Sequence, residues 1–278
     1  MTGARINKEM KIGGFICSLY LIWAIGWLLY QFFIQGSFSQ PYFPSYDITQ
    51  ELLPLGGKYL LGTDIYGRSI FEVLSSGLIY SLTVSLIVSF ACAAIGIVMG
   101  YLSVTAHASI AILFDLIINL IFVFPSILIA ILIMSVSGQS LTGLIFALII
   151  TGWPGYARIA RGETMRVMSL SYVEAAKAIG VGRLRLFMKV VLPAILPLLL
   201  IHIVLGVSGV IISEASLGFL GLGGSEYSWG SMLAVAKTVL LEAPQMVVIL
   251  SFAMAGLIIG LNLLGDGLRD FLDPQNKS

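Results

Sequence analysis

Two acidic side chains, Asp115 and Glu214, lie inside long apolar segments of this sequence. A charge at the centre of a bilayer-spanning helix costs about 2.5–3.5 kcal/mol on insertion scales, so such residues face a bundle interior or a water-filled path. Two roles stay open for both acids: lining a pathway for a polar solute, or structural pairing, as Asp115 could pair with Asn119. We interpret His202 as a helix contact, because no second ligand residue shares its helix face in the next turn.

The chain lacks the sequence pattern for hydrolysing a nucleotide. A phosphate-binding loop needs G-x-x-x-x-G-K-[ST], whereas the only Gly-Lys pair, Gly57-Lys58, is followed by Tyr59. Cys17 and Cys92 both lie in apolar runs, which indicates buried thiols rather than a disulfide or a metal site. We therefore predict no catalytic residues, no metal site and no cofactor in this chain.

The elements that must position these residues are membrane-spanning helices. Of the 278 residues, 58% are hydrophobic and only 10% are charged, against about 25% charged residues in a soluble domain. A spanning helix needs about 20 mostly apolar residues. Six segments qualify, at roughly 13–34, 79–103, 109–134, 139–157, 194–222 and 245–264. The prediction is an all-α membrane protein with six transmembrane helices, and the net charge of +1 gives no reason to expect nucleic acid.

The positions of lysine and arginine predict the orientation of these helices. Six spans put both termini on one side, and Lys58, Arg68 and Lys237 are the basic residues on the other side. That leaves twelve of the fifteen basic residues on the side of the termini, which the positive-inside rule assigns to the cytoplasm. We divide the chain into a cytoplasmic segment and first helix (1–34), an extracytoplasmic loop (35–78) and a five-helix core (79–278) containing a cytoplasmic loop (158–193).

Prolines and aromatic residues add local expectations. Pro125 and Pro154 lie within predicted spans, where proline kinks a helix. Tyr66, Tyr227 and Trp229 lie near predicted span ends, which is typical of the aromatic belt at a membrane interface.

The cytoplasmic loop has clear helix signals. Ser171 and Glu174 have the spacing of a capping box, which predicts a helix over about Tyr172–Ile179, with Tyr172, Ala175, Ala176 and Ile179 on one face. Gly180 fits the left-handed position that ends many helices. Such a short helix needs a surface to pack against. Interfacial helices lying on lipid headgroups and a docking element for a partner both remain open.

A second helix is predicted in the same loop at about 183–192. Pro193 is expected to stop it. Its apolar face is predicted to combine four residues at i, i+3, i+4 and i+7 spacing: Leu184, Phe187, Met188 and Val191.

Four motifs give the sequence a family resemblance. The loop resembles the E-A-A-x3-G-x9-I-x-L-P loop of binding-protein-dependent ABC importer permeases. The matching residues are Glu174-Ala175-Ala176, Gly180 and Val190-Val191-Leu192-Pro193, and Val190 replaces the isoleucine of the family pattern. Three further stretches resemble the dipeptide, oligopeptide and nickel subfamily, in its C-type member: Leu61–Asp64 with Gly67-Arg68, Glu214–Gly223 with Ser228–Gly230, and Gly265–Pro274. Ser69 and Ile79 depart from the subfamily pattern.

The resemblance implies an importer subunit in the cytoplasmic (inner) membrane of a bacterium or archaeon. The loop helix would couple to a separate ATPase through eight residues: Tyr172, Glu174, Ala175, Ala176, Gly180, Gly182, Leu192 and Pro193. Four residues are candidates for the substrate pathway: Asp64, Arg68, Asp115 and Glu214. ATP and magnesium would bind to the ATPase. The other expected partners are a homologous second permease, an extracytoplasmic substrate-binding protein and membrane lipid.

Peptides are the substrate that the resemblance implies, and nickel or a metal–chelator complex is the alternative. Two other functional classes compete with the importer. An ion-driven secondary transporter would need broken helices in corresponding repeats, which the sequence does not show, and it would leave the E-A-A-x3-G loop unexplained. A membrane scaffold without transport activity would be distinguished by an uptake assay with and without the chain.

Overall fold

The computed structural model of the chain describes residues 7–35, 44 and 46–272. The described part consists of helices joined by short segments, except for the longer, mostly non-helical segment 46–69 before α2. The helices are α1 (Lys8–Gln35), α2 (Ile70–Thr105), α3 (Ala108–Val123), α4 (Ser126–Ser137), α5 (Leu141–Met168), α6 (Ser171–Ala178), α7 (Arg183–Leu186), α8 (Leu192–Phe219), α9 (Trp229–Thr238) and α10 (Pro244–Leu272). The predicted all-α class is confirmed. α2 begins well before the predicted span, so its first turns lie within the predicted outer loop.

Five helical stretches are long and apolar enough to cross a membrane, and α3 with α4 forms a sixth candidate that is bent. The third predicted span, 109–134, is sharply bent where Pro125 predicts a kink, because α3 and α4 meet at an angle of 87°. Proline has no N–H to donate, and it forces the residue before it out of the helical conformation. Phe124 accordingly has φ −95° and ψ 141°, and Pro125 precedes the first residue of α4.

Pro193 does not stop a helix as predicted. α7, a five-residue π turn at Phe187–Val191 and α8 form one continuous stretch of 37 residues. A π turn adds a residue to the helical repeat, so it changes which carbonyl faces the proline ring. The N–H of Leu192 accordingly bonds to the carbonyl of Phe187, five residues earlier. Pro154 also lies inside a continuous helix, α5.

Small residues bring α2 and α5 into close contact. A methyl group added to Gly96 would lie 2.6 Å from the Cβ of Tyr156, and one added to Gly100 would lie 2.7 Å from the Cβ of Ala160. Gly96 and Gly100 are four residues apart, and this G-x-x-x-G spacing lets two helix backbones approach each other in a membrane.

Glycines also bring α1 and α10 together, so the two ends of the described chain lie side by side. A methyl group on Gly13 would lie 2.4 Å from the backbone nitrogen of Leu264. The side-chain amide of Asn7 donates a hydrogen bond to the carboxylate of Asp270 at 2.9 Å. The start of α1 and the end of α10 are therefore on one side of the bundle, as an even number of spans requires.

The α2–α5 contact can be tested with two matched substitutions. We expect Gly100→Ala to lower the free energy of unfolding by about 1–3 kcal/mol, because the added methyl group overpacks the contact with Ala160. Gly162→Ala on α5 is the control, since no heavy atom lies within 4 Å of its added methyl group. It should leave stability unchanged or raise it by about 0.4–1 kcal/mol. Thermal unfolding in detergent would measure both, and equal effects would contradict the packing.

Candidate functional site: the helix α6 and the cap before α2

The helix α6 is the centre of the first candidate site. It begins at Ser171 with Leu170 as its N-cap, and no side chain caps it. The predicted capping box is therefore wrong, because the helix starts one residue early and places Ser171 inside its first turn. Glu174 is exposed in the first turn, where its negative charge interacts favourably with the helix dipole.

The end of α6 is as predicted. Gly180 has φ +82°, a left-handed conformation that glycine adopts without a steric penalty. The N–H of Val181 bonds to the carbonyl of Ala176 at 3.1 Å, and the N–H of Gly180 bonds to that of Lys177 at 3.0 Å. These two bonds form a Schellman motif. Gly182 follows in an extended conformation and caps the start of α7, so the two glycines make a defined bend.

One face of α6 is fixed to the bundle through Val173. Val173 is fully buried in a cluster with Leu186, Val191 and Tyr101 of α2. The Tyr101 hydroxyl also donates to the carbonyl of Arg183 at 2.9 Å, which fixes the start of α7. The bend between α6 and α7 is therefore attached to the C-terminal end of α2.

The predicted apolar face of the second loop helix is wrong in part. Leu184 and Met188 are exposed, whereas Leu186 is buried. The π turn explains the shift, since it brings Leu186 and Val191, five residues apart, to the same side. Leu192 is half-buried and Pro193 is exposed.

The opposite face of α6 has no cover in the described part of the chain. Tyr172 is 56% exposed and Ile179 is 82% exposed. Ala175 is exposed and Ala176 is half-buried. Large apolar side chains thus share an open surface with Ala175, whose small side chain allows another helix or groove to approach closely, whereas Ala176 packs against the cluster around Val173.

The second site is a compact cap, residues 46–69, which precedes α2. Asp64 and Arg68 form a buried ion pair in it, with 2.8 Å between Nε and Oδ2, and their side chains are only 2% and 4% exposed. The other oxygen of Asp64 accepts hydrogen bonds from the N–H groups of Tyr66 and Arg68, each at 2.9 Å. Gly67 allows this turn at φ +71°, and a methyl group there would overlap the carbonyl of Asp47.

Three tyrosine rings surround the Arg68 guanidinium. Its central carbon lies 4.8 Å from the ring centre of Tyr66, 5.2 Å from that of Tyr46 and 5.5 Å from that of Tyr227. These distances are within cation–π range. Because Tyr227 belongs to the segment between α8 and α9, the guanidinium joins that segment to the cap. Tyr66 and Tyr227, predicted as interfacial residues, both take part in this contact.

The hydroxyl of Tyr46 provides a second link between the same segments. It donates a hydrogen bond to the Glu226 carboxylate at 3.2 Å. Burial, followed by the negative charge of Glu226, raises the pKa of Tyr46, so the hydroxyl keeps its proton and remains a donor. Burial also raises the pKa of Tyr227.

Trp229 is fully buried, so its predicted place in an aromatic belt is wrong. Its ring nitrogen donates to the carbonyl of Leu74 on α2 at 2.9 Å. The ring fits because Gly77 has no side chain, as a methyl group there would lie 2.6 Å from the indole. A tryptophan with a backbone acceptor can be buried as readily as it can lie at an interface, and the sequence pattern did not reveal Leu74 as that acceptor.

The two intramembrane acids have different surroundings. Glu214 is buried and accepts a hydrogen bond from the Ser81 hydroxyl at 3.0 Å. Asp115 is half-exposed and pairs with Arg161 of α5, not with Asn119. The geometry explains this, because Arg161 faces Asp115 from the neighbouring helix and brings the opposite charge. The structure thus brings Asp64 and Arg68 together and pairs Asp115 and Glu214 with other residues.

Two remaining expectations concern ligand residues. The contact of His202 involves its backbone carbonyl, which accepts from the Tyr156 hydroxyl at 3.3 Å. Within residues 7–35, 44 and 46–272, no three His, Cys, Asp or Glu side chains are grouped so that they could hold a metal ion. Cys17 and Cys92 are both free and buried.

A family comparison adds to this geometry. Residues 92–278 match the family described as binding-protein-dependent transport system inner membrane component. The chain belongs to this family. It is a multi-pass membrane permease component, as its motifs predicted.

Individual relatives cover most of the permease. It is 34% identical over 262 residues to the dipeptide transport system permease protein of Haemophilus influenzae, which covers 87% of this chain and 86% of the relative. It is 32% identical over 269 residues to the di/tripeptide transport system permease protein of Pseudomonas aeruginosa, covering 92% and 89%. It is 34% identical over 222 residues to the glutathione transport system permease protein of Escherichia coli, covering 79% and 73%.

Solved structures confirm the ABC importer permease fold. The permease matches a chain of the inward-facing MetNI methionine ABC transporter with a TM-score of 0.61 and 19% identity, over 72% of this chain and 97% of that chain. It also matches a chain of an amino acid ABC transporter with histidines, with a TM-score of 0.53 and 17% identity, over 70% and 91%.

The ion pair in the cap can be tested by removing one charge and then both. We expect Asp64→Asn to destabilise the cap by about 3–5 kcal/mol, because it leaves a buried, uncompensated Arg68 charge. Protease added to the purified permease in detergent should then cut within residues 46–69. Asp64→Asn with Arg68→Met should recover part of the resistance, because no charge remains buried. Equal cleavage of the wild type and of Asp64→Asn would contradict a stabilising role for the pair.

Proposed function

We propose that this permease is the transmembrane subunit of an ATP-driven importer of dipeptides or other short peptides, and that α6 couples it to a separate ATPase. The observation that carries the proposal is that α6 is packed on one face and open on the other. One face is fixed to the bundle through Val173, and the other presents Tyr172, Ala175 and Ile179 without a cover in the described chain. Of the two roles that the loop sequence left open, docking explains this arrangement together with the E-A-A-x3-G pattern.

The packing around α6 supports a mechanism for coupling. Val173 shares one cluster with Leu186 and Val191, which precede α8, and with Tyr101 at the end of α2. A push on α6 by a closing ATPase would therefore move the cytoplasmic ends of α2 and α8 together, as a rigid body. Gly180 and Gly182 fix the angle through which the push acts.

ATP hydrolysis belongs to the partner in this proposal. The chain carries no phosphate-binding loop pattern, and ATP and magnesium would bind to the ATPase subunits. A homologous second permease would complete the pathway, because six helices rarely enclose a peptide-sized route alone. This chain contributes the shape of the pathway and the docking helix.

The proposed orientation places α6 and both termini in the cytoplasm. The distribution of basic residues supports it, since twelve of fifteen are then on the cytoplasmic side. The cap and the segment between α8 and α10 would face outward, where an extracytoplasmic binding protein delivers substrate. The Arg68–Tyr227 contact holds these two outer segments together as one docking surface.

The four pathway candidates differ in how they could act on the substrate. Asp64 and Arg68 are buried and paired, so we propose that they act by holding the shape of the cap. Glu214 is buried against Ser81 and would likewise support the wall of the pathway. Asp115 is half-exposed, so among the four it has the side chain most available to a solute.

The substrate can be tested with the complete importer in lipid vesicles. We expect dipeptides, tripeptides or glutathione to stimulate ATP hydrolysis when the binding protein is present, as the names of the relatives suggest. None of the relatives named above is a nickel transporter, so the nickel alternative has no support from them. Stimulation by nickel with or without chelators, and by no peptide, would contradict the peptide assignment but keep the importer.

The docking role of α6 can be tested by placing a charge on its open face. We expect Ile179→Asp to leave the permease in the membrane, because the side chain is 82% exposed, but to reduce co-purification of the ATPase at least about tenfold. Leu241→Asp is the matched control, an even more exposed apolar residue in the segment before α10. If Ile179→Asp retained the ATPase as well as Leu241→Asp does, α6 would not be the docking element.

A further inference from the structure

A second groove lies at the cytoplasmic ends of three helices, separate from the open face of α6. It has a volume of about 360 Å³ and lies between α5, α8 and α10. Its lining combines three charged residues with five apolar ones: Glu163, Arg166, Arg269, Ala194, Pro197, Leu198, Ile201 and Leu272. The coupling and cap functions use none of these side chains.

The charged residues leave several hydrogen-bond donors open. Arg166 uses its Nε to donate to Glu163 at 2.8 Å, and its other donors have no partner in the described part of the chain. Arg269 lines the same groove, and within residues 7–35, 44 and 46–272 it makes no ion pair or hydrogen bond. Two guanidinium groups and one carboxylate give a formal charge of +1. A planar guanidinium binds the oxygens of a phosphate with paired hydrogen bonds.

The apolar part of the groove indicates the class of molecule to which the bound phosphate belongs. Pro197, Leu198 and Ile201 of α8 form one wall, and Leu272 of α10 contributes from another. A soluble anion would leave this apolar surface without a contact, whereas a glycerolipid has a charged headgroup joined to apolar chains. Basic pockets between transmembrane helices on the cytoplasmic side are typical sites for anionic lipid headgroups.

The position of the groove along the helix axes agrees with the position of a lipid headgroup. The last charged residues of α5 and α10 lie beyond the apolar parts of those helices, while α8 is apolar from its first turn. The two arginines thus lie at the rim of the predicted bilayer, with the apolar wall of α8 beside them. In the proposed orientation this rim belongs to the cytoplasmic leaflet, where anionic lipids give a negative surface potential.

We propose that the groove between α5, α8 and α10 binds one anionic phospholipid, with Arg166 and Arg269 on its phosphate and the α8 wall on its acyl chains. The lipid joins the cytoplasmic ends of α5 and α8, the two helices that flank the coupling loop. The inference does not depend on the nature of the transported substrate, because lipid binding and peptide transport are measured separately.

Lipid retention by the full-length permease, purified with its partner subunits, tests the site. The complex would be equilibrated in mixed micelles of phosphatidylglycerol and phosphatidylcholine, washed, and analysed by native mass spectrometry. We expect the wild type to retain phosphatidylglycerol in preference to phosphatidylcholine. Arg166→Gln with Arg269→Gln should lower this retention on the order of tenfold, because two charge-assisted contacts are lost.

Two further variants separate the groove from general surface charge and from loss of fold. Lys8→Gln with Lys11→Gln removes two exposed basic charges from the same side of the bundle and should change retention less than about twofold. Leu198→Trp fills the apolar part of the groove without changing its charge and should lower retention as the arginine variant does. Melting temperatures of all variants would verify that they fold.

Three results would overturn the proposal. Unchanged retention in Arg166→Gln with Arg269→Gln would exclude the two arginines as headgroup ligands. Equal losses in the lysine control would reduce the effect to general surface charge. Displacement of the lipid by inorganic phosphate, together with unchanged retention in Leu198→Trp, would identify a site for a free anion instead.

Discussion

The close approach of α2 to its neighbours is the constraint on which the rest of the structure depends. Lipid tails are as apolar as leucine side chains, so helices in a membrane gain little from the hydrophobic effect and rely on tight packing and hydrogen bonds. α2 meets this requirement with glycines at three levels: Gly77 faces Trp229, Gly96 faces Tyr156 and Gly100 faces Ala160. A side chain at any of these positions would separate α2 from the helix beside it.

Because α2 is held along its whole length, it connects the two sites. Its first residue, Ile70, follows the cap directly, and its backbone near this end accepts the Trp229 hydrogen bond that anchors α9. Near its other end, Tyr101 contacts the ring of Phe187 at 4.5 Å between centroids and bonds to the start of α7. One helix of 36 residues thus contacts both the cap and the segment that joins α6 to α8.

The sequence was sufficient for the helix class, the number of apolar segments and the end of α6, because each follows from local chemistry. Apolar length predicts a span wherever it occurs, and Gly180 ends a helix through its own backbone conformation. The prolines show the limit of predictions made from neighbouring residues alone. Pro125 bends its span, as predicted, whereas Pro193 lies inside a continuous helix where a stop was predicted, because a π turn at Phe187–Val191 accommodates it. Which outcome occurs depends on the tertiary contacts of the preceding turn, which no sequence window contains.

Buried polar groups were the other feature beyond the reach of sequence patterns. Glu214 was found as a candidate from its position in an apolar segment, and Asp64 and Arg68 from the family resemblance. The Ser81 partner of Glu214 and the Tyr227 ring beside Arg68 come from distant parts of the chain. Such groups contribute little net stability when paired and cost several kcal/mol, about 3–5, when a partner is lost. Such pairs therefore act mainly by selecting one arrangement of the cap, and not by adding stability. In the proposed role of the cap as a docking surface for a binding protein, this property would let the cap keep its shape while the helices beneath it move.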